Sequence, residues 1–192
     1  MHCCLPRTTT QQVQRVKVAR VTWPNMRFSF TIGTLGVANT DNIPNPGDAH
    51  DVLTALKAAA FGWTNVFVNL MAMDYGTDSG SCTISNGVCD MGQSAINGAV
   101  SLHAFWAVPY SSIEVTPMIG GNDDQVEVFS LTDVATLSAF AVKNGLGGIH
   151  FWSLDRDMDC ANTGPSGAAS DTCNNYGQAG TLGFSKAFIA AL

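Results

Sequence analysis

The chain has 192 residues, 46% of them hydrophobic and only 12% charged, with a formal net charge of −6. That length buries the core of a single domain, the hydrophobicity excludes a disordered chain, and no apolar run approaches the ~20 residues of a membrane-spanning helix. Five of the nine cations (Arg7, Arg15, Lys17, Arg20 and Arg27) precede the first acid, Asp41, so the remaining surface is acidic, would repel a phosphate backbone, and makes neither nucleic acid nor a membrane an expected partner.

In chain order, Met1 to Thr10 is an unassigned leader without the apolar segment of a signal peptide. Gln11 to Arg20 reads as a basic helix that feeds the first strand through Trp23-Pro24-Asn25. Phe28 to Leu35 is the first strand candidate, followed by a Pro/Asn/Gly loop and a helix over Asp48 to Phe61. Val66 to Met73 is apolar without alternation, the pattern of a parallel strand buried on both faces. A helix over Met91 to Ala107, a strand over Ile113 to Met118, and a helix opened by the capping-box-like Ser130-Leu-Thr-Asp133 and stopped by Gly145 follow. Gly148 to Ser153 is the fourth strand, and Gln178 to Ala191 the last helix.

Strand starts at 28, 66, 113 and 148 recur roughly every 40 residues, the signature of an α/β chain with one crossover per strand. Eight such units would need roughly 320 residues, within the range of (β/α)8 barrels, and this chain holds about four. The expected fold is therefore half of a (β/α)8 barrel. An open doubly wound sheet is the other candidate, but no G-x-G-x-x-G follows any strand, so a dinucleotide cofactor has no support and none is expected.

Cys82 and Cys89 bracket one polar loop, and Cys160 and Cys173 another. Neither pair has zinc-ligand spacing, and neither has a neighbouring His. Four cysteines allow three connectivities; two local disulfides and an oxidising compartment are the expectation. Asp155, Asp157 and Asp159 alternate like the start of a calcium loop, but Cys160 and Ser166 stand where Gly and Glu are required, so no metal site is read. Disulfides without an export signal imply a start upstream of Met1. Cys3 and Cys4 have no assignment.

In α/β folds chemistry collects at the carboxyl ends of strands. Here the second strand ends in Asp74 and Tyr75, the third leads into Thr116-Pro-Met-Ile-Gly-Gly-Asn-Asp123, and the fourth carries His150-Phe-Trp152-Ser-Leu-Asp-Arg-Asp157. Asn69-Leu-Met-Ala-Met-Asp-Tyr-Gly76 and these two segments, in this order, resemble strands six, seven and eight of a family 18 glycoside hydrolase of bacterial chitinase type. Phe28-Ser-Phe-Thr-Ile32 is similar to strand five, and the similarity covers residues 11 to 192.

The resemblance implies the C-terminal half of a chitinase-like barrel, from an extracellular parent acting on chitin or N-acetylglucosamine oligosaccharides. In that family the sugar's own acetamide attacks the anomeric carbon, in place of the second carboxylate of ordinary retaining enzymes. By resemblance, Asp74 orients the acetamide, Tyr75 either assists it or only shapes the loop, and Trp152 is the apolar floor on which the sugar stacks. Met71, Met73, Met118 and Asn122 are the accompanying candidate contacts.

One part is missing. The family's acid is the Glu of an Asp-x-x-Asp-x-Asp-x-Glu motif, and the only glutamates here, Glu114 and Glu127, stand outside it. Glu114 lies about 13 Å below the end of its strand at ~3.3 Å per residue, and its shared parity with Asn69 and His150 leaves two readings, a buried polar cluster low in the barrel or three groups satisfied separately. His50 and His103 read as helix-surface or packing residues. This chain is therefore expected not to hydrolyse chitin by itself. Two further readings stand beside this one, a half-barrel that binds sugar without chemistry and a truncated product with no independent function. Two open parallel edges and an apolar lumen facing water would favour self-association.

Overall fold

The computed structural model describes residues 9–38, 48–60, 62–76, 79–124, 126–161 and 170–192. The loop expected after the first strand, the helix end at Phe61, Cys3 and Cys4, and most of the leader and of the 160–173 loop lie outside the described residues.

Helix α1 (Thr9–Thr22) starts two residues ahead of the expected Gln11, and a short turn carries the chain into strand β1 (Phe28–Gly33). Helix α2 (Asp48–Ala59) leads to β2 (Val66–Ala72). A hairpin of β3 (Ile84–Ser85) and β4 (Val88–Cys89) turns through Asn86 and Gly87 at φ 53° and 81°, the left-handed pair that a two-residue hairpin demands. Helix α3 (Met91–Trp106) follows, capped by the Asp90 side chain on the Gln93 N–H. Then come β5 (Ile113–Pro117), a second hairpin of β6 (Gly120–Gly121) and β7 (Val128–Phe129), helix α4 (Leu131–Asn144), β8 (Gly148–Ile149) and helix α5 (Gly183–Ala191).

The main sheet has four parallel strands in the order β1-β2-β5-β8, with the helices on one face. This is the expected α/β half-barrel, and its capping chemistry matches the sequence reading. Ser130 and Asp133 form a reciprocal capping box, and Gly145 ends α4 at φ 64°. The helix-facing side is apolar: Val66, Val68, Leu70 and Ala72 of β2 and Ile113 and Val115 of β5 are buried with Met91, Ala95, Ala99 and Leu102 of α3. Phe67 and Asn69 of the opposite parity are buried as well, so β2 is covered on both faces over most of its length and reads as an almost unbroken apolar run.

Two expectations need correction. The last helix begins at Gly183 and not Gln178, because Asn175, Gly177, Gly180 and Leu182 all adopt positive φ and break the periodicity. Asp157 then fixes the start of α5, accepting the N–H of Phe184 at 2.9 Å and of Ser185 at 2.8 Å. The open face of the sheet is also not apolar. The β1-β2-β5-β8 register aligns Thr31, Asn69, Glu114 and Gly148 as one cross-sheet rung, and Met71 and Thr116 as the next. Polar groups therefore occupy much of the lower lumen, with Phe67 among them at the amino end of β2, and the other apolar side chains collect toward the carboxyl ends.

Both local disulfides, Cys82–Cys89 and Cys160–Cys173, are formed. The first ties the β3–β4 hairpin beside the start of α3. No described helix is long and apolar enough to cross a membrane.

Candidate functional site

Met118 pairs with Trp152 in an isolated parallel bridge, through Trp152 N–H to Pro117 O at 2.8 Å and Ile119 N–H to Trp152 O at 3.0 Å. Continuing the β2–β5 register brings Met73 level with Met118, so Met73, Met118 and Trp152 form the top rung, with Met71 one rung below. Trp152 is 55% exposed and Met71 40% exposed on this open face. A large aromatic surface held by backbone bonds and left bare is a stacking platform in waiting. Met118, by contrast, is only 4% exposed, so it supports Trp152 more than it offers contact of its own.

Asp74 lies just beyond β2, at φ 50°. Its Oδ1 accepts the N–H of Asp123 at 2.8 Å and of Asp124 at 3.3 Å, while its own N–H donates to Asn122 Oδ1 at 3.2 Å. Partial burial pushes its carboxyl above the usual range, the two amides pull it back, and the nearby charges of Asp123 and Asp124 raise it again. Oδ2 carries no hydrogen bond in the described structure. One oxygen is spent on the loop, and the residue as a whole is exposed.

Asn122 is fully buried, and its Nδ2 donates to the carbonyls of Met118 at 3.1 Å and Gly120 at 3.2 Å. It cannot reach a ligand from there; it anchors the β6–β7 turn against Asp74. Gly120 makes the turn possible at φ 72°, packed so tightly on the backbone of Asn174 that a Cβ would not fit. Tyr75 also departs from expectation. It is 6% exposed within the core, its hydroxyl has no partner, and burial raises its phenol far above normal. Of the two sequence options, it shapes the loop and does not face the cleft.

Arg156, unremarked in the sequence, is wholly buried beneath this turn and donates to the Gly121 carbonyl. Its Nε and Nη1 have no partner. Burial lowers its guanidinium, and Asp123, Asp74 and Asp171 hold it up. Glu127, also passed over, is completely buried and accepts the Tyr75 N–H at 3.1 Å. Burial pushes its carboxyl up to about 7; the amides of Tyr75 and Gly76 oppose this, and the charges of Asp124 and Asp74 add to it. The only signal for it in the sequence was an acid embedded in the apolar stretch Val126-Glu-Val-Phe129.

The low polar cluster exists, with more members than the sequence suggested. Glu114 is buried and bonds Ser29 Oγ at 2.6 Å and the Arg27 guanidinium, with His150 Nε2 at 3.6 Å. Asn69 neighbours Glu114 across the strands but is satisfied separately, by Thr31 at 3.3 Å and Thr116 at 2.7 Å. Arg27 further stacks over Phe67, its guanidinium 3.8 Å from the ring centre. His103 stacks on Tyr110 and His50 meets Trp106 edge-on, the packing roles expected of both. Among the described residues, the one group of ligand-type side chains close enough to hold an ion is Cys82, Cys89 and Glu127, and its sulfurs are bonded to each other.

The arrangement therefore offers a bare indole, a methionine rim and one free carboxylate oxygen at the carboxyl ends of parallel strands. No protein-family profile matches the chain. Endochitinase 11 of Metarhizium anisopliae is 34% identical over 105 residues, which is 50% of this chain and 20% of that protein. A probable bifunctional chitinase/lysozyme of Escherichia coli K12 is 34% identical over 100 residues, 47% of this chain and 11% of that protein. The matches thus span a fifth or less of these curated relatives. Among solved structures, active domain 2 of a thermostable chitinase from Pyrococcus furiosus, a catalytic-site mutant complexed with chito-oligosaccharides, superposes with a TM-score of 0.71 at 22% identity, covering 97% of this chain and 57% of that one. The catalytic domain of the hyperthermophilic chitinase of the same organism gives a TM-score of 0.68 at 24% identity and the same coverage. The resemblance to chitinases holds: the chain has the fold of part of a chitinase catalytic domain.

Proposed function

We propose that residues 11–192 form the sugar-positioning half of a chitinase-type glycoside hydrolase site, binding β-1,4-linked N-acetylglucosamine oligosaccharides without cleaving them alone. The observation that carries this reading is the pairing of a bare Trp152 with an Asp74 whose Oδ1 is consumed and whose Oδ2 is free. A sugar ring stacked on the indole presents its acetamide toward the strand ends, where Oδ2 can accept the acetamide N–H and orient the carbonyl for attack on its own anomeric carbon.

Proton donation to the leaving group is the unmet requirement. Glu114 is bonded to Arg27 and Ser29 on a rung two below Trp152, and Glu127 is sealed beneath the turn. Neither reaches the strand ends beside Trp152. General acid catalysis is worth ~10²- to 10⁴-fold by itself, so positioning without it leaves binding as the measurable activity. Hydrolysis by substrate assistance requires a carboxylic acid from strands that would complete the barrel. The disulfides suit an extracellular protein.

The test is titration of the purified chain with chitotetraose, following tryptophan fluorescence, alongside product analysis. Saturable binding that Trp152→Ala weakens at least about fivefold, with no released product, is expected, given that stacked aromatics are worth ~1 kcal/mol or more. Product formation abolished by Asp74→Asn would overturn the non-hydrolytic reading. Binding unaffected by Trp152→Ala would overturn the site.

A further inference from the structure

Charged residues are almost never fully buried without a partner, and Glu127 makes no ion pair among the described residues. What it meets is backbone. Oε2 accepts the Tyr75 N–H, Oε1 is unpartnered, and Glu127's own main chain closes the turn facing Asp74. Asn122 N–H donates to Glu127 O and Glu127 N–H to Asp124 O, both at 3.0 Å. That turn supplies the two amides on Asp74 Oδ1. Asp74 itself is a non-glycine residue at φ 50°, a state that persists only where neighbours over-determine it. Here Asn122 holds the amide of Asp74 and Glu127 the amide of the next residue.

We infer that Glu127 is the positioning residue for Asp74, gripping the following backbone N–H so that the reversed chain keeps the Asp74 carboxylate on the open face. This rests on the reading of Asp74 as the sugar-facing carboxylate. The grip needs an acceptor oxygen and not a charge. Asp74 and Asp124 face Glu127 as like charges, the Tyr75 ring packs with the core, and Arg156 acts on Asp74 and Asp123. The Cys82 and Cys89 sulfurs, within 4.8 Å, are locked in a disulfide and do not titrate. Burial and these acids bring the carboxyl to about 7, and both its neutral and its ionised form present an oxygen to Tyr75.

The experiment compares the full chain with its Glu127→Gln, Glu127→Ala and Glu127→Asp variants by ¹³C NMR of the Asp74 carboxyl, amide shifts of Tyr75, Asp123 and Asp124, and chitotetraose binding. Glutamine keeps the acceptor and should preserve the Asp74 titration and bind within about twofold of wild type. Alanine removes the acceptor and aspartate falls a methylene short, so both should shift the Asp74 titration and the Asp123 and Asp124 amides. Both should also bind about tenfold more weakly, the worth of one hydrogen bond from a clamped loop. Unchanged Asp74 titration and amides in Glu127→Ala would overturn the proposal. Should Glu127→Ala and Glu127→Asp fail to fold, the wild-type Tyr75 amide must be strongly protected from hydrogen exchange, with the protection and the Asp123 and Asp124 amide shifts kept in Glu127→Gln, and an unprotected Tyr75 amide overturns the proposal equally. If the shifts appear but even the wild type ignores chitotetraose, the positioning role stands and the sugar reading of Asp74 is what fails.

Discussion

Replacing Glu127 by glutamine should make the chain more stable at pH 8 and leave it nearly unchanged at pH 4.5. The carboxyl is raised from 4.5 to about 7 in the fold, so the folded state binds a proton more tightly than the unfolded one. A raised group contributes stability that is fully present below its unfolded value and is lost as pH rises through its folded value. At 1.36 kcal/mol for each pH unit, wild type should lose about 3 kcal/mol from this group between pH 4.5 and 8. Glutamine cannot ionise, still offers Tyr75 an acceptor, and should recover up to about 3 kcal/mol at pH 8, or roughly 6–12 °C in Tm for a chain of this size. Asp74 is also raised and titrates in both proteins, so the difference between variant and wild type isolates Glu127. Urea unfolding at pH 4.5, 6, 7 and 8 reads it directly. A variant less stable than wild type at pH 8, or a difference that does not vary with pH, would refute the reasoning.

Glu114→Gln should lower stability by only about 1 kcal/mol, because Arg27 is half-exposed and finds water when the charge is lost; thermal melting checks this, and chitotetraose affinity should not move. Asp157→Ala deprives the Phe184 and Ser185 amides of their acceptor and should cost about 1–2 kcal/mol, seen as early proteolysis within 183–191. The unpaired edges of β1 and β8 should make the chain self-associate with increasing concentration, and a monodisperse monomer in sedimentation would count against open edges.

The strand-helix rhythm, the α4 cap and the parity of Asn69, Glu114 and His150 were legible because they depend on local chemistry and on a period of two. Asn86-Gly87 was an equally local hairpin signal inside the disulfide loop. What the sequence did not disclose were contacts between distant segments. Ser29 and Arg27 reach Glu114 from 85 and 87 residues away, and Tyr75 reaches Glu127 across 52. No spacing rule links such positions. The sequence left two options for Tyr75 because adjacency to Asp74 says nothing about direction: a left-handed residue at 74 turns the chain and sends the phenol inward. The lumen was misjudged because buried strands were taken as apolar on both faces, whereas the open-face parity mixes Thr31, Asn69 and Glu114 with Phe67, Met71 and Trp152.

The early cations have a consequence for how the molecule meets a polymer. Lys17 donates to the Ala59 carbonyl at 3.2 Å, at the carboxyl end of α2 where cations complement the helix dipole, and Arg20 to that of Thr64 at 2.8 Å, in the turn that leads into β2. Positive charge is thus committed to the foot of the half-barrel, while Asp74, Asp123 and Asp124 stand at its mouth. The chain is electrically lopsided along the strand axis. If the proposed reading holds, an uncharged glycan would approach that mouth unsteered, and a sulfated or uronic-acid polymer would meet repulsion that salt screens.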